Sequence, residues 1–264
     1  MIYENILYPQ NYIIKKYVHS FWILRTKNPE GRIKPYLLPP DKYFNIILSF
    51  KSNTNIIKNN IFKSAVSGSF IVGMRTAYVL LQPDGDVDYL AIAFYPHTLR
   101  CFLNFHCINI TDNFFELDLL KSKFNEVFKP VLNEVYSDEK RIEIIEKRLL
   151  LLIEKIDYVP NNYLVEALNI IQKNNGLISI QNICNDIGTS VRQLNRDFEK
   201  FVGISPKFYS RIVRFNNLLD SLKNMEKFEN FADIAYYCGY FDQAHMIHEC
   251  FDFTGLSPKQ LLNY

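Results

Sequence analysis

Several things are missing from this chain, and each absence removes a class of function. It has no run of roughly 18 apolar residues, so no membrane-spanning helix is expected. It begins Met1-Ile2-Tyr3-Glu4-Asn5, without a cationic stretch leading into an apolar one, so no secretory leader is expected. It has five cysteines, an odd number without the spacing of a disulfide framework. That suits a reducing compartment, and the cytoplasm is the expected location. It has no Gly-rich phosphate loop and no Gly-x-Ser-x-Gly elbow. It has no His-x-His pair. Neither Cys101, His106 and Cys107 nor His245, His248 and Cys250 have structural-zinc spacing, so no metal and no cofactor is expected. Charge of one sign is also lacking, with 30 Lys and Arg against 28 Asp and Glu and a formal net charge of +2. An enzyme therefore has little support. The 48% apolar and 22% charged content is that of a globular protein, and 264 residues suffice for two domains with their own cores.

What the chain does have is a signature written twice in its last third. Cys184-Asn185-Asp186-Ile187-Gly188 is echoed by Ala235-Tyr236-Tyr237-Cys238-Gly239. Gly203-Ile204-Ser205-Pro206-Lys207 is echoed by Gly255-Leu256-Ser257-Pro258-Lys259. A repeat at this period means one supersecondary unit built twice. The unit reads as helix, tight turn, helix. Gly188 and Gly239 supply a backbone that can take positive φ in the turn. Cys184 and Ala235, one helical turn earlier, are small enough to let the second helix close in. Ser190 and Asp242 are N-caps for the second helices. In the first copy Val191, Leu194, Phe198 and Phe201 form the buried stripe. The opposite face carries Arg192, Gln193, Asn195, Arg196 and Lys200. Such a face reads base edges and phosphates. A pair of helical hairpins used for protein contact is the alternative.

These residues resemble the AraC/XylS family of transcription regulators over about residues 160–264. The resemblance rests on Ser190 to Arg196 with Phe198 and Gly203-Ile204-Ser205-Pro206. It rests equally on Phe231 to Ala235, on Gly239 to His245, and on Phe253 through Pro258. It implies an all-helical domain of two units joined by a long helix at about 206–223, with each second helix entering the major groove of double-stranded DNA. Carried over by position, the base-reading candidates are Arg192, Asn195 and Arg196 in copy one, and Gln243, Ala244 and His248 in copy two. The chain departs from the family where His248 stands in place of arginine, where Cys250 stands in place of a core phenylalanine, and where Ala244 offers no polar group. Charge points the same way. From Ser190 to Phe215, Arg192, Arg196, Lys200, Lys207, Arg211 and Arg214 stand against Asp197 and Glu199, for a net +4. From Glu229 to Tyr264, Lys259 stands against Glu229, Asp233, Asp242, Glu249 and Asp252, for a net −4. Since phosphate neutralisation supplies most non-specific DNA affinity, copy one is expected to dominate.

Residues 1–115 read as mainly β. Segments 17–24, 43–50, 69–72, 77–81 and 88–94 are rich in β-branched and aromatic residues. Turn signals separate them: Pro39-Pro40-Asp41, the polar stretch Lys51 to Asn60, and Pro83-Asp84-Gly85-Asp86. A small barrel or sandwich follows. Asp84, Asp86 and Asp88 read as a solvated hairpin. This half resembles the cupin-like N-terminal domains attached to AraC-type DNA domains, on a Pro-Asp lead-in, Gly73-Met74-Arg75-Thr76, and Phe94-Tyr95-Pro96. Trp22 and Arg75 are candidate ligand-binding residues. The plain alternatives are a core position for Trp22 and a surface salt bridge for Arg75.

Residues 121–157 read as a helical hairpin, the first helix over 121–136. Ile142, Ile145, Leu149, Leu152 and Ile156 follow coiled-coil spacing in the second. They either meet a second subunit or cap the chain's own β half. The fold class expected is thus α+β: a cupin-like N-terminal domain over 1–157 and a tandem helix-turn-helix domain over 158–264. The function expected is a sequence-specific DNA-binding regulator whose N-terminal domain senses a small molecule or contacts a partner, with a homodimer open. A protein-interaction regulator whose repeat has lost strong DNA binding is the competing reading.

Overall fold

The computed structural model describes residues 2–26, 35–51, 53–58, 61–66, 68–103, 105–117, 127–128, 131, 136–156 and 160–263. The β half consists of β1 (Ile2–Leu7), β2 (Val18–Thr26), β3 (Tyr36–Leu38), β4 (Phe44–Ser49), β5 (Thr54–Lys58), β6 (Ile61–Val66), β7 (Phe70–Val72), β8 (Val79–Pro83), β9 (Val87–Phe94) and β10 (Phe114–Glu116). They form two antiparallel sheets, one ordered β1-β2-β9-β4-β7-β10 and one ordered β3-β8-β5-β6. β9 is buried along its whole length. Its apolar run from Tyr89 to Phe94 is what a strand covered on both faces requires. On one face Tyr89 and Val87 meet Leu24, Ile47, Ile56, Val79 and Leu81 between the sheets. On the other, Leu90, Ile92 and Phe94 join a second cluster that runs on into the helices.

Three expectations needed correction or extension. The polar stretch Lys51 to Asn60 contains β5, since Ile56 and Thr54 are buried between the sheets and their polar neighbours point outward. The 77–81 strand lies two residues later, at Val79–Pro83. Asp88 is not solvated: it is buried and accepts hydrogen bonds from Arg141 Nη1 at 2.9 Å, Arg141 Nη2 at 3.1 Å and Arg25 Nε at 3.0 Å.

Arg141 belongs to α2 (Asp138–Ile153), which follows a short α1 (Leu99–Phe102). Ser137 caps α2 by accepting from the Lys140 amide. Ile142, Ile145 and Leu149 are buried in the chain's own cluster, while Leu152 and Ile156 are half-exposed. The helix expected over 121–136 falls almost wholly outside the described residues, as do positions 157–159 at the expected domain boundary.

The helical half comprises α3 (Asn162–Lys173), α4 (Ile180–Ile187), α5 (Val191–Phe201), α6 (Pro206–Lys223), α7 (Phe231–Tyr237), α8 (Gln243–Thr254) and α9 (Pro258–Leu261). Local chemistry sets these boundaries. Ser190, Ser205, Asp242 and Ser257 each accept from the backbone amide three residues on. Gly188 (φ +67°) and Gly239 (φ +73°) make the two tight turns. The halves are in contact. Gly203 (φ +85°) lies against the 107–111 turn, where a Cβ would come 2.5 Å from Thr111 Oγ1, and Thr111 Oγ1 donates to the Gly203 carbonyl at 2.7 Å. Asn216 Nδ2 donates to the Pro40 carbonyl at 3.1 Å. Among the described residues no helix is long and apolar enough to cross a membrane.

Candidate nucleic-acid interface and effector cavity

In the first unit, α4 and α5 cross at Gly188, with Cys184 buried beneath. Leu194, Phe198 and Phe201 anchor α5 to the core. Arg192 and Arg196 are exposed on its outer face, four residues apart and so on one side of the helix. Gln193 is held from below: its Nε2 donates to Asp197 Oδ2 at 2.7 Å and to the Tyr163 hydroxyl at 3.1 Å, and its Oε1 accepts from Arg196 Nη2. Asn195 Nδ2 donates to the Val191 carbonyl at 2.8 Å. Lys200 is half-buried, with Nζ 5.6 Å from the Phe201 ring centre.

The second unit has the same backbone and a different surface. Counting from the caps Ser190 and Asp242, Arg192 matches Ala244, Asn195 matches Ile247, Arg196 matches His248 and Glu199 matches Phe251. All four residues of α8 are exposed, as is Gln243. Phe241 (92% exposed) and Tyr236 (87%) extend this apolar surface beyond the helix. Ile247 and Phe251 were missed in the sequence, although the register from the caps Ser190 and Asp242 puts them at the positions of Asn195 and Glu199.

Three of the charges that separate the units are spent on each other. Glu249 of α8 is buried. It accepts from Arg211 Nε at 2.9 Å and from Arg214 Nη2 at 2.7 Å, both on α6. The charge left facing outward is therefore smaller than the +4 and −4 of the sequence. The contrast between α5 and α8 remains: Arg192 and Arg196 on one, and an exposed His248 beside Asp252, at 3.9 Å, on the other.

A cleft of about 600 Å³ opens between the sheets and α6. It forms where β9 carries Ala91 and Ala93 in place of larger residues, opposite Trp22 and Ser20 of β2. Trp22 and Arg75 both line it. Trp22 is half-exposed and not in the core. Its ring lies 5.7 Å from that of Tyr36, and its Nε1 donates to Glu4 Oε1 at 2.7 Å. Arg75 is buried, and it makes no salt bridge among the described residues. His19 stacks on Tyr43 at 4.2 Å, and burial together with nearby Lys42 lowers its pKa. Asn216, Leu219, Asp220 and Lys223 of α6 complete the wall, at the spacing of a single helix face. No signal in the sequence joined that helix to the β half. Among the described residues no group of three His, Cys, Asp or Glu could hold a metal ion.

A family described as a helix-turn-helix domain matches residues 183–264. The last third of the chain therefore carries an AraC-type helix-turn-helix domain. A domain of unknown function, DUF6597, matches residues 9–116. A structure of ToxT from Vibrio cholerae is 12% identical with a TM-score of 0.50, covering 99% of this chain and 98% of that one. A ToxT structure holding an unsaturated fatty acid is 12% identical with a TM-score of 0.51, covering 99% and 94%. These likenesses concern the fold, a β domain followed by helix-turn-helix helices. The AraC-like transcriptional activator CuxR is 14% identical over 83% of this chain and 86% of that one, but its TM-score of 0.24 supports no argument. No curated protein matches. In AraC-type terms the two second helices are α5 and α8, and the long joining helix is α6.

Proposed function

We propose that this chain is an AraC-family regulator that acts in the cytoplasm and reads duplex DNA mainly through α5, with α8 a weaker contact. We also propose that the cleft against α6 takes a small-molecule effector. The observation that carries the first part is the matched register: Arg192, Asn195 and Arg196 on α5 stand where α8 has Ala244, Ile247 and His248. Arginine can bond guanine O6 and N7 with two hydrogen bonds, each such pair being worth about 1–3 kcal/mol of discrimination. Alanine and isoleucine offer only apolar contact. Lys200 and Gln193 border the α5 face, and Gln243 is the remaining polar group at the start of α8.

The effector reading is supported by the size of the cleft, which falls in the range of small-molecule sites, and by its wall. Helix α6 faces the cleft with Asn216, Leu219 and Lys223, and grips Glu249 of α8 with Arg211 and Arg214. A ligand touching one end of α6 therefore bears on the element that positions α8. ToxT, whose fold is similar, has been solved with a fatty acid bound.

The test of the DNA reading is a pair of variants, Arg196→Ala and His248→Ala, titrated at fixed salt and pH 7.5 against a duplex selected from a random pool. Arg196→Ala is expected to weaken binding by about 1–3 kcal/mol, and His248→Ala by much less. Equal losses refute the dominance of α5.

The exposed Phe241, Tyr236 and Phe251 favour a second reading, in which unit two docks a protein. Duplex affinity that does not change with salt would favour this reading over the first.

A further inference from the structure

Arg75 follows β7 and lines the cleft, 2% exposed. A guanidinium has five N–H donors and no acceptor. Here Nη2 donates to the Pro39 carbonyl, and Nε is buried with no acceptor among the described residues. The nearest carboxylates are committed elsewhere. Asp112 accepts from the Thr76 amide at 2.7 Å and the Thr76 hydroxyl at 2.6 Å, and Asp41 accepts from Asn45 Nδ2 at 3.2 Å. Burial lowers the Arg75 pKa to about 10, with Asp41 and Asp112 opposing that only through space, so the group stays charged at neutral pH. A buried charge without a counter-charge is costly, and this one belongs to a residue that lines the cleft. The other charges of the wall, Lys42, Asp41, Lys223 and Asp220, are half-buried or exposed and offset one another.

We propose that the effector is an organic anion whose carboxylate pairs with Arg75 and whose flat apolar body lies between the Trp22–Tyr36 and His19–Tyr43 ring pairs. Arginine matches a carboxylate with two parallel hydrogen bonds, and the orphaned Nε is one of the two edges that can supply them. Both ring pairs line the same cleft as Arg75. The small side chains of Ala91 and Ala93 leave the depth that a ring system needs. This assignment rests on the cleft being the effector site.

The test uses the full chain and two matched pairs of probes, 2-naphthoate with 2-naphthamide and oleate with oleamide, titrated by calorimetry at pH 7.5. The expected result is that 2-naphthoate binds at least tenfold more tightly than its amide. Arg75→Gln should erase that preference and Arg75→Lys should keep part of it. If Arg75→Gln does not fold, the acid–amide comparison on the native chain decides alone. Amides that bind as tightly as the acids overturn the anion while leaving the effector cleft standing. Oleate binding in an acid-selective way without 2-naphthoate overturns the flat body. Neither pair binding overturns both this inference and the cleft as effector site.

Discussion

The carboxylate of Asp88 lies beneath α2, gripped by two guanidiniums from different elements. Burial alone would raise its pKa, but the hydrogen bonds and charges of Arg141 and Arg25 outweigh that and hold it below the usual carboxylate value. A depressed folded pKa gives stability that is present above the unfolded value and is lost as pH falls through the folded one. The native chain should therefore lose stability on acidification below about pH 4, and Asp88→Asn should show a shallower loss there. At neutral pH Asp88→Asn should cost about 3–5 kcal/mol, because Arg141 is left buried beside a neutral amide. Urea unfolding at pH 7 and at pH 3 measures both. Asp84, Asp86 and Asp88 alternate alike in sequence, and local pattern gives no way to pick the one that two arginines reach from 53 and 63 residues away.

Helix α6 is an element with two tasks, and neither is visible in its own periodicity. Its first turns carry Phe208, Arg211 and Arg214 toward α8, and its last turns carry Asn216, Leu219 and Lys223 toward the β half. Arg214 also stacks 4.7 Å from the Tyr240 ring centre, so this charge cluster sits in the core of unit two. Glu249→Gln should destabilise the helical half by about 3–5 kcal/mol, leaving two guanidiniums without a counter-charge. Because α5 is untouched, the folded fraction should keep most of its duplex affinity. Thermal unfolding followed by duplex titration of the surviving material separates the two effects. A large loss of affinity per folded molecule would show that α8 reads DNA as strongly as α5.

For the whole molecule, the joint between the halves matters most. Gly203, Tyr209 and Asn216 bind the helical half to the 107–111 turn and to Lys42 and Pro40. The helical half also has an interior of its own, with Leu164, Ile171, Ile183, Leu194, Phe198, Ile212, Phe215 and Phe253 buried. Residues 158–264 expressed alone should therefore remain helical and bind duplex with an affinity that falls steeply with salt. Circular dichroism and titration at two salt concentrations test this. A disordered segment would show that the β half is needed to fold it.

The tandem unit was legible in the sequence because its determinants are local. Gly188 and Gly239 turn the chain, Ser190 and Asp242 cap the next helix, and Cys184 and Ala235 leave room, all within a few residues of one another. β2, β4, β7, β8 and β9 were legible for the same reason, since alternation and β-branching act over neighbours, while β1, β3, β5, β6 and β10 were not. Among the missed strands, β5 stays hidden because Thr54 to Lys58 reads as part of a polar stretch until Ile56 finds the opposite sheet. Tertiary structure alone decided which charges are free. Asp88 and Glu249 look like surface residues in a linear reading, and Arg75 reads either as a pocket residue or as half of a surface salt bridge. The fold buries all three, gives Asp88 and Glu249 two arginines each, and places Arg75 in the wall of the cleft. Electrostatic pairing depends on distance through space, and that distance is set only when sheet and helices pack.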